Sequence, residues 1–108
     1  MIDRRAGIDR RKWPRYAVNI DINWENAEGR HQGTMSDISV EGCFVLCSGN
    51  FENGDRIRVF LPVGEGMKIQ FSGEVVNYVY EIGFALKFID LGEAQRSFLE
   101  QFVSSLES

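Results

Sequence analysis

Histidine, cysteine and long apolar runs are scarce in this 108-residue chain, and each shortage excludes a class of function. His31 is the only histidine, and the two cysteines, Cys43 and Cys47, form no Cys-x-x-Cys pair, so no zinc-binding set is present. On an extended segment the two thiols would stand roughly 13 Å apart, too far for a disulfide, which leaves both as packing residues. No glycine-rich phosphate loop appears, and Ser39 with the carboxylates Asp37 and Glu41 has no motif around His31 to supply a base. An enzyme is therefore not expected. No apolar run approaches the roughly 20 residues of a membrane span. The arginines near the start are not followed by the apolar stretch of a signal peptide, so a cytoplasmic location without membrane insertion is expected.

Charge is unevenly placed. The formal net charge is −4, yet residues 1–18 hold six of the twelve Lys and Arg against only Asp3 and Asp9, and the rest of the chain carries six basic and fourteen acidic residues. A +4 arm on a −8 body disfavours coating of a nucleic-acid polymer and favours a local anionic ligand or partner patch. With 44% hydrophobic residues and eight phenylalanines the chain can bury a core of its own, and its length suits one domain.

Residues 1–15 show no periodicity, and Pro14 drives Trp13 toward extended geometry. From Tyr16 to Trp24 the alternation is strict: Tyr16, Val18, Ile20, Ile22 and Trp24 on one face, Ala17, Asn19, Asp21 and Asn23 on the other. Further strands are expected at about 30–35, 43–47, 56–61, 67–80 and 82–89. Turns are expected at Glu25–Gly29, Ser48–Asn50 and Asn53–Asp55, and Ser36–Gly42 should break the pattern. Gly73 suggests a bulge or bend within the long fifth strand. Six strands on short turns with no helix between them indicate an antiparallel barrel or sandwich. Asp90-Leu91-Gly92-Glu93 has the spacing of a capping box, and Leu91, Ala94, Phe98, Leu99, Phe102, Val103 and Leu106 recur as the apolar stripe of a closing helix.

Two polar clusters stand out. Arg10-Arg11-Lys12-Trp13-Pro14-Arg15 contains an Arg-x-x-x-Arg pair, and a guanidinium can fork onto a phosphate or onto the O6 and N7 edge of guanine. Asp37-Ile38-Ser39-Val40-Glu41-Gly42 offers a carboxylate that could accept from guanine N1 and N2, a serine hydroxyl and a glycine. Each alone fits an ordinary basic arm or an Asx-type turn.

Together the two clusters resemble the signature of the PilZ domains, bacterial receptors for cyclic di-GMP, and Ile82-Gly83-Phe84-Ala85-Leu86-Lys87-Phe88 looks like that family's glycine-containing closing strand. The resemblance spans about residues 10–105. It implies a six-stranded antiparallel β-barrel with a C-terminal helix, residues 10–108, preceded by a flexible basic arm, residues 1–9. It also implies that Arg10, Arg11 and Arg15 grip phosphates and guanine edges, that Asp37 and Ser39 pair with a guanine, and that Gly42 leaves room for it. Glu81 stands where some members carry a stacking tryptophan. Tyr80 beside it, Trp13 in the arm and Gly83 are further candidates. The implied protein is a cyclic di-GMP receptor, monomeric or homodimeric, that needs no metal or other cofactor and passes a motility, pilus or biofilm type of signal to a protein partner. The alternative is an adaptor of the same fold that binds no nucleotide.

Overall fold

The computed structural model describes residues 14–107. The alternation that begins at Tyr16 becomes strand β1 (Tyr16–Asn26), with Ile22 and Trp24 buried and Ala17, Asn19 and Asp21 exposed. It is followed by β2 (Gly29–Ile38), β3 (Gly42–Leu46), β4 (Arg56–Gly64), β5 (Met67–Val79), β6 (Gly83–Ile89) and one helix, α1 (Glu93–Leu106). All pairings are antiparallel, and the strands close into a barrel in the order β1-β2-β3-β6-β5-β4. Closure removes the free sheet edges that an open sandwich would leave.

The barrel is filled by the inward set. Met35, Ile38, Val45, Val59, Phe71 and Phe84 have no exposed surface, and Ile57 and Leu61 are nearly as enclosed. Trp24 stacks on His31 with centroids 4.4 Å apart. A side chain on Gly33 would press on the Trp24 indole nitrogen and on Val45, so glycine there makes room for the ring. Phe71 packs on Phe88 inside the barrel and on Phe98 of α1, and Phe98 stacks on Phe102. With Leu99 and Val103 also buried, the helix spends its apolar stripe on the barrel core, as its sequence spacing suggests.

Four details differ from the sequence reading. Strand β2 does not stop at Met35 but continues to Ile38, because a register shift between Met35 and Asp37 absorbs one residue and returns Ile38 to the interior. The irregularity in β5 lies between Val75 and Asn77, whereas Gly73 pairs regularly with Ile57 and Phe88. Gly73 is needed for another reason: a Cβ there would run into the Leu86 side chain and the Lys87 carbonyl. Strand β4 runs through Pro62, which is tolerated because the β1 ladder ends at Phe60 and asks no N–H of it. The helix cap falls on Gly92, not Asp90; Gly92 donates its N–H to Gln95 Oε1 at 2.7 Å, which is half of a capping box, and glycine has no side chain to complete it.

Candidate functional site

Tyr16 pairs with Ile38 and Ala17 with Asp37, so the chain enters β1 alongside the end of β2. That register delivers Arg15 to Asp37. The Arg15 Nη2 and Nε both donate to Asp37 Oδ1, at 2.7 and 3.0 Å, and both side chains are about one quarter to one third exposed. The two donors converge on one oxygen, so the pair lacks the parallel fork of a bidentate arginine and carboxylate. Next to it the Tyr16 hydroxyl donates to Glu107 Oε2 at 2.6 Å, tying the root of β1 to the end of α1. That hydrogen bond, together with the Glu107 charge and some burial, raises the Tyr16 pKa. Pro14 faces Val40 and Val103 across a cavity of about 180 Å³.

The loop after Asp37 is built by Ser39, which is 2% exposed. Its N–H donates to the Gly42 carbonyl at 2.8 Å, and its Oγ accepts the N–H groups of Glu41 at 3.1 Å and Gly42 at 3.2 Å. The Glu41 carbonyl in turn accepts the Phe88 N–H at 2.8 Å. A Cβ on Gly42 would overlap the Leu86 carbonyl oxygen, so glycine lets β3 lie against β6. In this geometry the Ser-x-x-Gly half of the motif holds the loop, and Asp37 is the member that faces outward with a charge.

Register adds residues that the sequence reading passed over. Asp37 pairs with Phe44 and Phe44 with Ala85, while Cys43, Val45, Phe84 and Leu86 point into the core. Phe44 and Ala85 therefore line an outer strip beginning at Asp37. Lys87, opposite Gly42 and Glu74, is exposed beside the same loop. Their outward orientation was available from the alternation of β6; in β3 the apolar run concealed it. Gly83 closes the far end of the strip opposite Leu46, and a Cβ there would overlap the Val45 carbonyl. Tyr80 lies one turn further, in the β5–β6 hairpin, and is 68% exposed. Arg10, Arg11 and Trp13 fall outside the described residues.

Burial disfavours the thiolate form of both nearby cysteines. Burial pushes Cys43 up to about 12, with the Asp37 charge adding to the rise and Arg15 opposing it, and burial pushes Cys47 up to about 11. Among the described residues no group of three or more His, Cys, Asp or Glu side chains is placed to hold a metal ion. No helix among them is long and apolar enough to cross a membrane.

These elements make a small closed antiparallel barrel packed by one helix, with an arginine–aspartate pair at the root of its first strand. The chain belongs to the PilZ domain family, whose sequence profile matches residues 9–105. Among solved structures it resembles the PilZ domain with c-di-GMP of YcgR from Escherichia coli, with TM-score 0.76 and 15% identity over 92% of both chains. It also resembles the PilZ domain of CeSA from a cellulose-synthesizing bacterium, with TM-score 0.69 and 20% identity over 88% of this chain and 99% of that one. The K. pneumonia MrkH–c-di-GMP complex gives TM-score 0.75 and 16% identity over 93% of this chain and 53% of that one, so the present chain spans about half of that protein. At such identities the likeness is one of fold. No curated protein sequence matched the chain.

Proposed function

We propose that this domain is a receptor for cyclic di-GMP. The observation that carries the reading is the half-buried Arg15–Asp37 pair at the root of β1, set on the Ser39 loop. Asp37 offers a carboxylate to guanine N1–H and N2–H, and Arg15 a guanidinium to a phosphate or to the guanine O6 and N7 edge. Phe44 and Ala85 supply an apolar floor beside them, and Lys87 a second cation. Arg10 and Arg11 join from the arm, over the ligand, and complete the phosphate grip. Ser39 and Gly42 act by holding the loop, and Trp13, Tyr80 and Gly83 are the candidates for contact with a second base or a second ligand molecule. The presence of c-di-GMP in the YcgR and MrkH structures supports the ligand's identity.

In this reading the ligand takes over Arg15 and Asp37 from each other, so binding and repositioning of the arm are one event. The repositioned surface is what a protein partner reads. A motility output is favoured by the likeness to YcgR and to the Bacillus subtilis inhibitor of motility, 19% identical with TM-score 0.73 over 88% of this chain and 49% of that one. The role is that of a receptor in the cytoplasm and not a catalyst. Equilibrium dialysis against labelled cyclic di-GMP tests the reading. Saturable uptake competed by unlabelled cyclic di-GMP and not by GTP is expected; uptake that GTP displaces equally well would refute the assignment.

A further inference from the structure

Among the described residues, five of the seven exposed large hydrophobic side chains gather in one place: Leu46, Val76, Val79, Tyr80 and Ile82, around the β5–β6 hairpin and the end of β3. Such clustering marks a contact surface. The loop 47–55 adjoins it, with Cys47 N–H donating to the Ile82 carbonyl, Tyr78 hydroxyl to the Gly49 carbonyl and Val75 N–H to the Asp55 carbonyl. Residues 46–55 and 75–83 contain no lysine or arginine and three acids, Glu52, Asp55 and Glu81. The next cation along the chain, Arg56, is paired with Glu74 at 3.1 Å.

An apolar centre with an acidic rim selects its occupant by charge. A second copy of the same patch would set its acids against these, and an anionic membrane surface would be repelled likewise. The fitting partner has apolar anchors flanked by basic residues. Residues 1–13 have that composition, with Ile2 and Ile8 beside Arg4, Arg5, Arg10, Arg11 and Lys12 against two aspartates. They join the barrel at Pro14, beside Asp37, and the strip Asp37, Phe44, Ala85, Gly83 leads from there to the patch, a distance of about 12 Å from strand spacing. Thirteen residues reach up to about 40 Å, so the segment can cover the strip and the patch beyond it. Tethering gives it an effective concentration in the millimolar range, enough to populate a weak contact.

We propose that in the ligand-free protein residues 1–13 of the same chain dock on this patch, with Ile2 and Ile8 against Leu46, Val79, Tyr80 and Ile82 and with Arg4 and Arg5 facing Glu52, Asp55 and Glu81. The docking does not rest on the receptor reading.

The test is made without ligand, so its failure leaves the receptor reading untouched. A nitroxide is placed on Ala6→Cys in full-length chain carrying Cys47→Ser, Cys43 being fully buried, and amide signals are compared with those of the reduced label. The amides of Val79, Tyr80 and Ile82 are expected to lose more than half their intensity, and Arg4→Glu with Arg5→Glu to restore it. Undiminished signals at these three residues would overturn the proposal. So would equal loss in a mixture of nitroxide-bearing unenriched chain with isotope-enriched, label-free chain, because the arm would then be docking on another copy.

Discussion

Gly42, opposite Lys87 on the β3–β6 ladder, lies so close to Leu86 that a Cβ on it would overlap the Leu86 carbonyl oxygen. Backbone cannot move aside as the end of a flexible side chain can. Gly42→Ala should therefore cost about 2–4 kcal/mol or prevent folding, read by urea denaturation. A loss below about 1 kcal/mol would mean the two strands can part, and Gly42 would then need another explanation.

Ser39 accepts two loop N–H groups on one buried hydroxyl. Ser39→Ala should cost about 1–3 kcal/mol, because the donors lose their acceptor in a place water reaches poorly. Ser39→Thr should recover part of it. If Ser39→Ala keeps full stability yet loses ligand, the hydroxyl belongs to the ligand and not to the loop.

Asp37 should behave in the opposite way. Its pair with Arg15 is partly exposed, and such pairs contribute about 1 kcal/mol or less. Asp37→Asn should leave the denaturation midpoint almost unchanged while weakening cyclic di-GMP binding at least tenfold.

The buried Cys43 thiol gives an alkaline limit. Its folded pKa, about 12, lies above the ordinary 9.0, so the folded chain keeps a proton that the unfolded chain releases. Stability is fully present below about pH 9 and falls as pH rises toward 12, by about 1.4 kcal/mol per unit from this group. Raised Tyr16 and Tyr78 add to the fall above 10. Unfolding free energies of wild type and Cys43→Ala at pH 8, 9.5 and 11 should converge as pH rises; parallel curves would contradict the assignment.

Gly92 caps α1 without a side chain. Gly92→Ser should supply the missing half of the capping box and raise stability by a few tenths of a kcal/mol, detectable as a small increase in thermal midpoint.

Much of this architecture is legible in the sequence because the physics that sets it is local. The strict alternation from Tyr16 to Trp24 and the helical spacing from Leu91 to Leu106 needed only side-chain period. What escaped depends on neighbours distant in the chain. The extension of β2 to Ile38 follows from a bulge opposite β3, Gly73 answers to Leu86 across a ladder, and the cap moved to Gly92 because Gln95 reaches back to its N–H. The candidate site was half legible. Asp37, Ser39 and Gly42 stood out as a pattern, but the division of labour among them appears only once Ser39 is seen buried among loop amides and Arg15 against Asp37. Phe44 was hidden because an apolar strand looks the same whichever side faces out.

Isothermal titration of cyclic di-GMP into the chain, beside Arg11→Ala and Asp37→Ala, shows whether Arg11 and Asp37 form a site for the nucleotide. The wild type is expected to give a saturable isotherm, and each variant at least tenfold weaker binding. Absence of saturable heat at tens of micromolar wild-type protein, or unchanged affinity in both variants, would contradict the receptor reading.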